Sequence, residues 1–135
     1  MLRMGFLPSD FNPMVLMLGE AGDFRALAGV LRHFARAPVA IRLDTAPFCI
    51  TGRDALLLAP AAGCPGIERG PGELTWRVDA AHALHFAAQL DMLADPATPA
   101  GSAMLECGSG DEIPVKASRG EFTDDFLLAG SDFGG

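Results

Sequence analysis

A chain of 135 residues, half of them hydrophobic, has the size of one domain with its own core. Its formal charge of −7 disfavours nucleic-acid backbones and anionic lipid as partners, and no apolar run approaches the roughly 18 residues of a membrane-spanning helix. Cys49, Cys64 and Cys107 cannot all pair within one chain and none belongs to a C-x-x-C, which points to a reducing, cytoplasmic location.

Nine arginines against the single Lys116, no tyrosine, and abundant Ala, Gly and Pro fit the codon bias of a high-GC bacterium. Residues 1–13 read as an extended lead-in, too broken by Pro8, Asp10 and Pro13 for a signal peptide. MVLML (14–18) is a short buried strand. From Asp23 to Arg36 the residues Phe24, Leu27, Ala28, Leu31, Phe34 and Ala35 recur at helical spacing, with Asp23 as N-cap and Pro38 beyond the end. VAIRL (39–43), TAPFCIT (45–51) and DALLLAP (54–60) read as three strands.

GCPGIERGPG (63–72), with four glycines and two prolines, reads as a loop. ELTWRVD (73–79) alternates Leu74, Trp76 and Val78 with polar residues, the pattern of a strand with one wet face. A second helix runs from about Ala80 to Leu93. SAMLEC (102–107) and IPVKAS (113–118) form a hairpin, and Pro114 places the latter at an edge because proline cannot donate to a ladder. Ser118-Arg119-Gly120-Glu121 matches the capping box S-x-x-E and predicts a short third helix over EFTDDFLLA, with a fraying tail at 129–135.

The predicted order is β-α-β-β-β-α-β-β-α within one domain, residues 1–135. The fold class is α+β: a two-layer sandwich of a mainly antiparallel sheet with two main helices packed on it. Leu27, Leu31 and Phe34 match Phe86, Leu90 and Leu93 at a constant offset of 59, which raises an internal duplication; a shared helical period explains the match nearly as well.

The first helix carries Arg25, Arg32 and Arg36 in one stripe. Guanidinium groups so aligned suit carboxylate or phosphate, although a solvated face with cations near the helix C-terminus explains them more simply. The second helix is apolar on two sides: beyond its core stripe it presents Leu84, Ala88 and Met92. Such a helix needs cover, either from the N-terminal lead-in or from a second copy through residues 80–94. The last 25 residues hold six acids against two bases, with Glu121, Asp124 and Asp125 as candidate contacts for a basic protein partner.

No chemical centre assembles itself from spacing. His82 and His85 lack the i, i+4 spacing and the glutamate of a zincin helix, so no metal or cofactor is expected. Cys107 ends a strand before the glycine-rich Gly108-Ser109-Gly110 and is the best nucleophile candidate, yet no histidine is placed beside it by sequence. The glycines from 63 to 72 lack a phosphate-loop lysine.

From Asp23 onward the order α-β-β-β-α-β-β-α, the length and the acidity resemble bacterial type III secretion chaperones, dimers that hold an effector segment; the resemblance is one of topology, and small acidic toxin-immunity proteins share its gross features. The expectation is a non-catalytic acidic module that binds a basic partner in an adaptor, chaperone-like or immunity-like role. The rival is a small enzyme or ligand-binding protein with a site near Cys107 and His82/His85.

Overall fold

The computed structural model describes residues 2–7, 13–51, 55–61, 65–95, 97, 101–107 and 112–119. Its elements are β1 (Leu2–Leu7), β2 (Met14–Leu18), α1 (Ala21–Arg36), β3 (Ile41–Arg42), β4 (Cys49–Thr51), β5 (Ala55–Pro60), β6 (Gly66–Gly70), β7 (Glu73–Val78), α2 (Ala80–Leu93), β8 (Gly101–Leu105) and β9 (Val115–Arg119), with a 3-10 turn at Leu43–Thr45. The fold is α+β, with both helices packed on mixed sheets ordered β4-β1-β2-β9-β8 and β3-β5-β7-β6. Four of the seven pairings among the described strands are antiparallel. No helix among the described residues is long and apolar enough to cross a membrane.

Several elements differ from their sequence reading, each for a local reason. Residues 2–7 of the lead-in form a strand, β1, whose Leu2, Met4 and Phe6 enter the core. Glycine content concealed β6 within 63–72: Pro71 and Gly72 make a two-residue turn that pairs Gly70 with Glu73, and Gly72 takes the positive φ of 69° that such a turn assigns to glycine. Helix α1 begins two residues before Asp23, with Glu20 as N-cap, and the Asp23 carboxylate instead accepts the Glu20 backbone N–H at 2.8 Å. Pro114 does not mark an edge. It precedes β9, which lies between β2 and β8, and its carbonyl accepts from Val15 N–H at 2.9 Å. Ser118 is 1 % exposed within β9, so it does not cap a helix; the rest of the expected third helix, with the tail, lies outside the described residues.

The offset of 59 is a property of the whole fold. It carries β2 onto β7, α1 onto α2 and β5 onto β9. The five buried residues Phe24, Leu27, Ala28, Leu31 and Phe34 fall on Ala83, Phe86, Ala87, Leu90 and Leu93, which are also buried. Strand register is conserved as well: the parallel pair Leu16↔Lys116 becomes Thr75↔Leu57. The hairpin β1–β2 maps onto β6–β7, and β3 onto β8, with different loop lengths.

The halves are interwoven. The five-stranded sheet joins β1 and β2 of the first half to β8 and β9 of the second, while the four-stranded sheet joins β6 and β7 to β3 and β5. Residues at equivalent positions meet where the halves cross. Arg32 pairs with Asp91 across the helices, and the Arg69 guanidinium lies 4.1 Å over the ring of Phe6. One core unites the inner faces of both sheets and both helices. At its centre Trp76 and Phe86 stack with centroids 5.8 Å apart and planes 16° apart.

Candidate functional site

The arginine stripe is largely engaged within the molecule. Arg25 donates to the Ala94 carbonyl at 3.0 Å, satisfying the C-terminal end of α2, and Arg32 is bound to Asp91; Arg36 is exposed near the end of α1. What reads in sequence as a free cationic face serves mainly to hold one helix against the other.

The second helix keeps its outer apolar residues in solvent. Leu84 is 52 % and Met92 74 % exposed, while Phe86 and Leu90 on the opposite side are fully buried. Residues 2–7 of the lead-in do not cover them, because as β1 they are paired with β2 and β4, with Leu2, Met4 and Phe6 turned into the core. An open groove of about 480 Å³ runs between α2 and β8, lined by Gln89, Met92, Leu93 and the strand from Gly101 to Met104. Gln89 forms its wall: Nε2 donates to the Met104 carbonyl at 3.3 Å, and Oε1 is buried without a partner. That carbonyl faces away from β9, so the outer edge of β8 is open to the groove.

At the other end of α2, Asp79 is the N-cap. Its Oδ1 accepts the His82 backbone N–H at 2.7 Å and its Oδ2 lies 2.7 Å from His82 Nδ1. Sequence reading missed this role, although an aspartate directly before a helix three residues from a histidine is the signal for it. The hydrogen bond from the His82 backbone, reinforced by the side-chain contact, holds the Asp79 carboxyl below its ordinary value near 3.8. Its stabilisation is therefore present above about pH 4 and is lost as pH falls through the lowered folded value. The variant Asp79→Ala should lose about 1 kcal/mol at pH 7, and urea midpoints of variant and wild type should converge toward pH 2. A constant gap across that range would contradict the cap.

Cys107 stands close enough to Asp79 to feel its charge, but the setting opposes a nucleophile. Burial is the largest influence, and Glu112, whose two oxygens accept the Cys107 backbone N–H at 2.9 and 2.7 Å, adds to it; the thiol is pushed up to about 12. Cys49 is pushed up to about 11, by burial and then by Asp44. Against the ordinary value of 9.0, the Cys107 thiolate should be roughly 1000-fold scarcer at pH 7.5. Iodoacetamide labelling and peptide mapping should leave Cys107 almost unmodified while a free thiol is consumed; rapid labelling would reverse this reading.

Among the described residues no group of three or more His, Cys, Asp or Glu is placed to hold a metal. Cys64, Ser109, Glu121, Asp124 and Asp125 lie outside the described residues. Fold and surface together define a class: an α+β protein of two interwoven ββαββ halves with an open helix–strand groove. Comparison with family models, with curated proteins and with solved structures finds no match.

Proposed function

We propose that this protein is a non-catalytic binding module that engages a basic protein partner through the outer face of α2 and the adjoining edge of β8. The observation that carries this reading is the exposure of Leu84 and Met92 on a helix whose other side is fully buried. Exposed apolar side chains beside an open groove supply the desolvation that drives association, and methionines adapt to partners of different shape. The net charge of −7 favours a partner of opposite sign and speeds its encounter. The electrostatics around Cys107 favour binding over thiol chemistry.

The test is affinity capture from the native lysate at rising salt, with wild type and the double variant Leu84→Glu, Met92→Glu side by side. The expected result is a protein retained by wild type at low salt, released as ionic strength rises and lost with the variant. Equal retention by both would remove the α2 face from the interaction. Sedimentation of wild type alone examines self-association through the same face, and a monomer across the micromolar range would exclude it.

A further inference from the structure

Strand β8 ends its sheet with a row of backbone groups turned outward. It bonds to β9 through Gly101, Ala103 and Leu105, so the N–H and C=O groups of Ser102 and Met104 point the other way, over the groove beside α2. Gln89 reaches from α2 into this row. Its carboxamide carries the donor and acceptor of a peptide unit. Nε2 donates to the Met104 carbonyl at 3.3 Å, as an amide of a neighbouring strand does, while Oε1 is buried without a partner. One side chain thus stands in for part of an absent strand, through a long hydrogen bond that leaves an oxygen unpaired.

The matching place in the first half is closed. The offset of 59 sets Val30 at the position of Gln89, and Leu43, Asp44 and Thr45 at those of Ser102, Ala103 and Met104. There the edge strand β3 has two residues and passes at once into the 3-10 turn, where Thr45 Oγ1 donates to the Arg42 carbonyl at 3.1 Å and Leu43 is buried. An edge blunted in this way resists strand addition. The second half keeps five residues of regular strand, with Ser102 and Met104 exposed. Acids mark both of its ends. Asp95 is exposed at the Gly101 end, where Arg119, opposite Gly101, donates to the Asp95 carbonyl at 3.1 Å; Glu106, also exposed, follows Leu105. Antiparallel pairing of β8 with β8 of a second copy about Ala103 would carry Glu106 of each chain toward Asp95 of the other, so like charge opposes that occupant and favours a cationic one.

Resting on the binding role proposed for the α2 face, we infer that the partner supplies an extended basic segment that joins β8 as a sixth, antiparallel strand. Antiparallel pairing is the more stable kind, and it fixes the side-chain pattern. Residues bonded to Ser102 and Met104 share their face of the sheet, so cations there come alongside Glu106, and a cation at the far end meets Asp95. The residues between them turn toward α2 and lie apolar against Met92, Leu93 and Ala103. The incoming amide takes the Met104 carbonyl from Gln89, whose side chain moves out to solvent.

The probe is an end-blocked nonapeptide of alternating lysine and valine, titrated into the full chain with isotope-labelled backbone amides. The amides of Ser102 and Met104 are expected to shift together, and their hydrogen exchange to slow by about tenfold at saturation. Methylating the lysine backbone nitrogens of the peptide should weaken binding by about tenfold, whereas methylating those of valine, which face away from β8, should leave it unchanged. Ser102→Pro removes an outward N–H without touching the ladder to β9; it should weaken binding by a similar factor with circular dichroism unaltered. Gln89→Ala should tighten binding roughly fivefold by removing the competing bond. Unshifted Ser102 and Met104 amides, equal binding of a twin with glutamate for lysine, or indifference to lysine methylation would overturn the added strand. Binding abolished by Leu84→Glu yet unaffected by Ser102→Pro would overturn it too, while leaving the α2 face as the site of association.

Discussion

Produced separately, residues 1–62 and 63–135 should each remain unfolded, and mixing them at equal concentration should restore a cooperative fold. The reason is the exchange of strands between halves. Alone, the first half keeps β4-β1-β2 of one sheet and β3-β5 of the other, and the second half keeps only the hairpins β8–β9 and β6–β7, so each sheet is cut through, between β2 and β9 and between β5 and β7. Small isolated ladders of this kind are marginal in water. Pairing of like halves is opposed where equivalent positions meet: two first halves would set Arg32 against Arg32, and two second halves would set Asp91 against Asp91 and Arg69 against Arg69. Circular dichroism of each fragment and of the mixture, then sedimentation of the mixture, decides the matter. A cooperative melt from either fragment alone would show that the halves are not interdependent.

Phe86→Ala should remove about 3–5 kcal/mol of unfolding free energy, a large share of the roughly 5–15 kcal/mol expected of a domain this size. Phe86 is fully buried on α2 and stacked on Trp76, itself 1 % exposed, where helix and four-stranded sheet meet. Truncation leaves a void that a helix anchored by Arg25 and Arg32 cannot collapse to fill. Trp76, the only tryptophan, reports the change as a red shift of native emission, and urea unfolding gives the energy. A loss under about 1.5 kcal/mol with unshifted emission would mean that the stack does not organise the core.

Periodicity made much of the scaffold legible. Both helices, the strands at 14–18, 55–60 and 73–78, and the α+β class come from spacings of 3.6 and 2 that local sterics impose. The repeat was visible only as three matched helix positions, because its strands share register rather than residue type: Leu16 answers to Thr75 and Lys116 to Leu57. The candidate surface was half legible. The two-sided apolar pattern marked Leu84 and Met92, but the groove needs β8 beside α2, and Asp79 and Glu112 gain their roles only from neighbours that folding supplies.

Alternation of apolar and polar residues, helical periodicity and net charge belong to this amino-acid order itself, since each arises from groups within a few positions of one another or from simple summation. Strand partners, the crossing of the halves, the engagement of Arg25 and Arg32, and the muting of Cys107 arise only in three dimensions. They depend on which distant groups are desolvated together, a competition among many long-range pairings that no local spacing encodes.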